Sequence, residues 1–163
     1  MDESNQVLIV SRAGGQRVST SRIVSRRDFT GSWGYLLEKT IFTSLPHEAH
    51  SGAALVGEDG RLLGIGSLFV GNAGAGGPPI PGNMFVPIDG LKPILADLLE
   101  LGRRSGPGRP WIGASTSELA ERVIVTRVSP GGPAAKAGLS PGDIILGVAD
   151  EAISSQKDFY RKI

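Results

Sequence analysis

Glycine and proline interrupt this 163-residue chain at short intervals, with 24 glycines and 11 prolines spread along it. Both residues break regular structure, and glycine also adopts the positive φ angles that turns and bulges need. Hydrophobic residues make up 40% of the chain, which is enough for one or two small cores. The sequence therefore predicts a mainly β fold of short strands and tight turns, and it excludes collagen and global disorder.

Charge and cysteine content exclude several classes of function. The formal net charge is +1, so we expect no nucleic-acid partner. The chain has no cysteine, which excludes disulfides, thiolate catalysis and Cys-ligated zinc. The first six residues, Met-Asp-Glu-Ser-Asn-Gln, lack the basic and apolar regions of a signal peptide.

Local patterns predict the individual elements. Two apolar runs at 53–56 and 62–70 flank the turn pair Asp59-Gly60, which is a β-hairpin signal. The polar segment 26–35 predicts a loop or an irregular hairpin. A helical apolar stripe follows at 91–101. Further strands are predicted at 7–10, 18–24, 83–88, 111–114, 123–128 and 143–148, and further helices around 134–137 and from Ser154 or Ser155.

A linker divides the chain. Residues 103–109 read Arg-Arg-Ser-Gly-Pro-Gly-Arg, a composition typical of domain boundaries. We therefore predict one domain at 1–102 and a second at 110–163.

Ser51 is the candidate nucleophile. It lies among small residues in a loop before the predicted hairpin, where a serine hydroxyl and nearby amides can form a nucleophile with an oxyanion hole. By residue type alone, an ordinary loop serine is the more frequent interpretation. The surrounding string is more specific: His-Ser-Gly-Ala-Ala-Leu-Val at 50–56, then Asp-Gly, then Leu-Gly-Ile-Gly-Ser at 63–67. It resembles the nucleophile segment of trypsin-like serine proteases of the HtrA (Deg) family.

This resemblance implies that residues 1–102 form the C-terminal β-barrel of a chymotrypsin-fold protease, acting as a serine endopeptidase in protein quality control. Ser51 would be the nucleophile, the amides of Ala49 and Ser51 would form the oxyanion hole, and Ser67 and Leu68 would pair with substrate. The chain has Ala49 where the family motif has glycine. If that position required a positive φ, the alanine would cost about 1 kcal/mol.

The second domain also resembles part of that family. Residues 123–142 read Val-Ile-Val-Thr-Arg-Val-Ser-Pro-Gly-Gly-Pro-Ala-Ala-Lys-Ala-Gly-Leu-Ser-Pro-Gly and are similar to its PDZ domain. The resemblance implies an α+β PDZ domain, incomplete, at 110–163. Such domains add a peptide to a sheet edge and capture its carboxylate on backbone amides, here those of Ile112, Gly113 and Ala114. The last peptide side chain would face Phe159 or Ile163.

The general base is the missing part of the predicted protease. A serine nucleophile needs a histidine and an orienting carboxylate, which this family carries in the preceding barrel. The chain has only His47 and His50, and we expect neither to serve, so this chain alone should be inactive. The alternatives are a non-cleaving adaptor that binds peptides through the PDZ domain, and a truncated product without activity.

Other site types are disfavoured. His47 and His50 are three residues apart in a loop, whereas a zincin places its histidines four apart on a helix. The glycine-rich segment 71–77 leads into prolines and not into a helix, so it does not predict a phosphate site. We expect no metal and no cofactor. The family resemblance implies unfolded proteins or C-terminal peptides as partners, allows a homo-oligomer, and suggests a periplasmic or cell-envelope location.

Overall fold

A computed structural model describes residues 5–12, 15–31, 35–108 and 110–163, and the fold is mainly β. It divides into two compact units: Met1–Arg27 with Glu38–Ser105, and Asp28–Leu37 with Gly106–Ile163. The strands are β1 Gln6–Ser11, β2 Arg17–Gly31, β3 Tyr35–Ser44, β4 Ala54–Gly57, β5 Leu62–Val70, β6 Gly82–Pro87, β7 Ala114–Leu119, β8 Arg122–Val128, β9 Ile144–Ile145, β10 Gly147–Val148 and β11 Glu151–Ala152; the α-helices are α1 Leu95–Leu101, α2 Pro133–Lys136 and α3 Gln156–Lys162.

The first six strands form a closed barrel in the order β1-β2-β3-β6-β5-β4. Its strands alternate between buried and exposed side chains, as in β1, where Ile9 is fully buried and Leu8 is 40% exposed. The buried residues of the barrel core are Val7, Ile9, Ile41, Ala53, Leu55 and Phe85. The β-rich class predicted from the glycine and proline spacing is confirmed, although β2 with 15 residues and β3 with 10 are longer than the short strands expected.

The predictions for residues 26–35 and 91–101 differ from the structure. Residues 26–31 continue strand β2, and 35–37 begin strand β3, so the polar segment is largely strand; residues 32–34 lie outside the described part. The buried positions of β2 are Ser21, Ser25 and Gly31, which are polar or small, so this strand has no apolar alternation in the sequence. The predicted helix at 91–101 is α-helical only from Leu95, because Pro93 lies in a preceding 3₁₀ turn, Lys92–Ile94.

The second unit contains a three-stranded sheet of order β7-β8-β9, a β10-β11 hairpin and helices α2 and α3. Its core centres on Val123, Phe159 and Tyr160. Helix α3 begins at the predicted position, because the Ser155 side chain accepts a hydrogen bond from the Asp158 amide and caps the helix. Strand β7 runs from Ala114 to Leu119 and shares only Ala114 with the predicted strand at 111–114, because residues 111–113 form a turn in which Gly113 has φ +73°.

No helix within the described ranges is long and apolar enough to span a lipid bilayer.

The alternation in β1 generates a stability prediction. Ile9→Ala should lower the free energy of unfolding by about 2–5 kcal/mol, because it leaves a cavity in the barrel core. Leu8→Ala, one residue away on the exposed face, should cost less than about 1 kcal/mol. Urea titration of both variants measures this difference, and equal losses would contradict the inward orientation of Ile9 in β1.

Candidate functional site

The loop that carries Ser51 is fastened to strand β5 by backbone hydrogen bonds. The Gly52 amide donates to the Gly66 carbonyl at 2.9 Å, and the Gly66 amide donates to the Ala53 carbonyl at 2.7 Å. Ala53 is buried in the barrel core, whereas Ser51 is exposed. The fold therefore anchors the residues after Ser51 and leaves the hydroxyl accessible.

Gly66 is required for this fastening. A Cβ atom built on Gly66 would lie 1.8 Å from the carbonyl oxygen of His50, far inside van der Waals contact. The loop can therefore rest directly on β5 only because position 66 has no side chain. This requirement explains the Gly66 seen in the sequence pattern.

The two predicted oxyanion amides belong to Ala49 and Ser51. Among the described residues, neither amide donates to a protein acceptor, and Ala49 does not have a positive φ. The backbone strain that a positive φ would impose on an alanine is therefore absent. Both amides remain able to donate to a bound oxyanion.

Neither histidine contacts the Ser51 hydroxyl. Both ring nitrogens of His47 are hydrogen-bonded to serine hydroxyls, Nε2 to Ser11 at 2.9 Å and Nδ1 to Ser19 at 3.0 Å. His50 Nδ1 donates to the His47 carbonyl at 3.1 Å. These contacts occupy both rings in structural roles and provide no general base for Ser51.

The predicted substrate strand has an open edge. Strand β5 pairs with β6 as far as Val70, but its pairing with β4 ends at Ile65. The β5–β6 register shifts between Gly66 and Leu68, which places Ser67 at a bulge. Ser67 and Leu68 are half-buried and lie on the part of β5 that no described strand covers on that side.

Arg27 holds the loop that follows this edge. Its guanidinium lies 3.8 Å from the centroid of the Phe42 ring and donates to the carbonyls of Asn72, Ala73 and Gly74. Burial lowers the pKa of Arg27. The sequence gives no sign of this role, since a single arginine in a polar strand carries no local signal of such a contact.

The described residues contain no cluster of three or more His, Cys, Asp or Glu side chains able to hold a metal ion.

The second candidate site is the turn at 112–114. The Ile112 carbonyl accepts from the Ala134 amide and the Gly113 carbonyl accepts from the Ser129 amide, both at 2.8 Å. Gly113 has φ +73°, and a Cβ there would lie 3.2 Å from Pro133 Cδ. The carbonyls of the turn are thus engaged, while the Ile112 and Gly113 amides donate to no acceptor among the described residues.

An apolar cavity of about 770 Å³ adjoins this turn. Ile112, Ala114 and Phe159 contribute to its lining, and Ile163 packs instead against the core beside Phe159. Its remaining walls are almost entirely apolar: Pro110, Trp111, Pro133, Ala134, Ala137, Leu139, Ile144, Ile145, Leu146, Gly147 and Val148. This cavity suits an apolar side chain.

Sequence comparisons find similarity to a PDZ domain and to serine endoproteases. A family model described as PDZ domain matches residues 124–163. Serine endoprotease DegS of Haemophilus influenzae is 34% identical over 118 residues, covering 68% of this chain and 33% of that protein. Serine protease Do-like HtrA of Bacillus subtilis is 29% identical and covers 85% of this chain and 35% of that protein. Periplasmic serine endoprotease DegP of Escherichia coli K12 is 32% identical and covers 83% of this chain and 30% of that protein.

The chain therefore spans about a third of the length of these curated relatives. Among solved structures, the HtrA-type protease AlgW with a tripeptide is 25% identical with a TM-score of 0.57, covering 96% of this chain and 55% of that chain. The same protease with a decapeptide gives the same identity and TM-score and covers 51% of that chain.

The close approach at Gly66 generates a prediction for the Ser51 loop. Gly66→Ala should displace the loop from β5, lower the free energy of unfolding by about 1–3 kcal/mol, and speed hydrogen exchange at the Gly52 amide. Gly71→Ala is the matched control, because a Cβ at Gly71 meets no atom within 4 Å. Unchanged Gly52 exchange in Gly66→Ala would show that the loop does not depend on this contact.

Proposed function

This chain is related to the HtrA-type serine proteases that carry a PDZ domain, and on that premise we propose that residues 1–102 provide the nucleophile half of a serine endopeptidase. The observation that supports this most directly is the exposed Ser51 beside two amides without acceptors among the described residues. Ser51 Oγ attacks the scissile carbonyl, and the amides of Ala49 and Ser51 stabilise the resulting oxyanion.

Substrate would bind as an extended strand on β5. The edge of β5 beyond Ile65 has no strand partner among the described residues, and Ser67 and Leu68 lie on it. Backbone pairing of this kind is compatible with many substrate sequences, since its hydrogen bonds are made to the main chain. That property suits unfolded proteins as substrates.

Hydrolysis by this half requires a histidine and a carboxylate that the described residues do not bring to Ser51. His47 and His50 are both engaged elsewhere. A serine without its base retains only residual catalysis. We propose that this chain by itself does not hydrolyse protein substrates and that a His- and Asp-bearing barrel completes the site.

Residues 110–163 would bind C-terminal peptides. The turn at 112–114 presents amides for the carboxylate, and the adjoining apolar cavity receives the last side chain. The AlgW structures with bound peptides support this assignment. The name of the DegP relative, a periplasmic endoprotease, supports a cell-envelope location. The proposal also includes a homo-oligomer.

A second candidate function is a non-cleaving adaptor that binds peptides through the PDZ domain. The structural use of both histidine rings favours it, because Ser51 then has no base within this chain. The adaptor and protease hypotheses differ only in whether Ser51 becomes reactive.

Labelling of Ser51 separates these functions. The chain alone should react negligibly with a fluorophosphonate, whereas fusion to a His- and Asp-bearing protease barrel should raise the labelling rate by at least about 10³-fold. Ser51→Ala should abolish labelling, and Ser117→Ala, which changes an exposed serine elsewhere, should not. A folded fusion that remains unlabelled would favour the adaptor.

The turn at 112–114 generates a binding prediction. Gly113→Val should weaken binding of an apolar C-terminal peptide by at least about ten-fold, because a side chain at φ +73° strains the turn. Gly108→Ala, with open space around its Cβ, should bind normally. Fluorescence anisotropy measures both, and a C-terminally amidated peptide should bind weakly to every variant; equal binding of acid and amide would contradict carboxylate capture.

A further inference from the structure

Strand β7 lies at the edge of its sheet, so one row of its backbone groups faces away from β8. The Ser129 amide donates to the Gly113 carbonyl, and Thr126 Oγ1 donates to the Ser115 carbonyl at 3.1 Å. The carbonyls of Gly113 and Ser115 therefore face β8. Because backbone direction alternates along a strand, the next residues face the open edge.

The residue opposite Thr116 gives the same orientation. Thr116 pairs with Val125, yet the Val125 amide donates to the Asp143 carbonyl and its carbonyl accepts from the Gly142 amide. Val125 thus directs both backbone groups away from β7. Thr116 is in a pair that exchanges no hydrogen bonds, and its own amide and carbonyl face the open edge.

A side chain of helix α3 already occupies this edge. Gln156 Nε2 donates to the Thr116 carbonyl at 2.7 Å and to Thr116 Oγ1 at 3.0 Å. Gln156 is 5% exposed and Thr116 is fully buried. The contact is reinforced on either side, since the Gln156 amide donates to Glu118 Oε2 at 2.8 Å and the Tyr160 hydroxyl lies 2.9 Å from Thr116 Oγ1.

A peptide bound at this edge would need the same acceptor. With its carboxylate on the 112–114 turn and its chain antiparallel to β7, the terminal residue lies opposite Ala114 and the third residue from the end lies opposite Thr116. The backbone amide of that third residue would donate to the Thr116 carbonyl. A glutamine primary amide is the same kind of donor as a peptide N–H.

We propose that Gln156 is a built-in competitor of the bound peptide: its side-chain amide holds the Thr116 carbonyl in the free chain and must leave it before the peptide completes its strand. This inference rests on the proposed peptide-binding function of residues 110–163. Gln156 satisfies a buried carbonyl when no ligand is present. A ligand must therefore replace this hydrogen bond in order to bind.

The test measures binding of a fluorescent peptide, apolar at its last three positions, to the full chain and to Gln156→Ala. Removing the competitor should tighten binding by about five-fold, the equivalent of one net hydrogen bond. Gln156→Met keeps the length and packing of the side chain but has no donor, and it should tighten binding similarly where the alanine variant folds poorly. Circular dichroism and thermal unfolding check the fold of each variant.

Two controls make the result specific. Tyr160→Phe removes a buried hydroxyl that contacts Thr116 Oγ1 and leaves the carbonyl contact intact, so its affinity should change less than about two-fold. A peptide N-methylated at the third residue from its C-terminus cannot donate to Thr116. That peptide should show no gain from Gln156→Ala or Gln156→Met.

The outcomes separate this proposal from the function beneath it. Wild-type binding without tightening in either Gln156 variant, or an equal gain for the N-methylated peptide, overturns the competitor role and leaves the peptide site in place. Absence of binding by the wild type and by both variants overturns the peptide site itself, and the competitor role with it.

Discussion

The contact between the Ser51 loop and strand β5 is the constraint on which the candidate active site depends. Hydrogen bonds join Gly66 to Gly52 and Ala53. They can form only because Gly66 has no Cβ atom, which would clash with the His50 carbonyl. The same contact ends the pairing of β5 with β4 near Ile65. One backbone junction therefore both exposes the serine and opens the strand edge where a substrate would lie.

The two units present backbone amides in the same way. At 112–114 and at the Ser51 loop, carbonyl groups are bound to the scaffold while neighbouring amides have no protein acceptor among the described residues. Amides oriented in this way favour negative charge, an oxyanion at Ser51 and a carboxylate at Gly113 in the proposed functions. Anion recognition by backbone requires no ionisable side chain, which explains how a chain with a net charge of +1 can present two such sites.

Sequence alone predicted the features that arise from local chemistry. The Asp59-Gly60 hairpin, a helix start at Ser154 or Ser155 and the β-rich class were predicted from local patterns, and the structure has all three, with Ser155 as the cap. The extent of β2 and β7 was missed, because polar residues occupy buried positions in these strands, Ser21 and Ser25 in β2 and Thr116 in β7, and so remove the apolar pattern. Contacts such as Gln156 with Thr116 join residues 40 positions apart, and no local pattern encodes them.

Open strand edges are sites of unwanted association, and each unit treats its edge differently. At β7 a buried glutamine amide satisfies the edge carbonyl, so the edge is protected until a better donor arrives. At β5 the exposed stretch is short, has a bulge at Ser67, and is followed by a loop that Arg27 holds through three carbonyls. The proposed β7 arrangement favours selective binding, since a ligand must replace an existing hydrogen bond. The β5 arrangement favours broad binding, since no side chain among the described contacts competes for the main chain. This difference is consistent with the peptide site and the substrate site proposed for the two units.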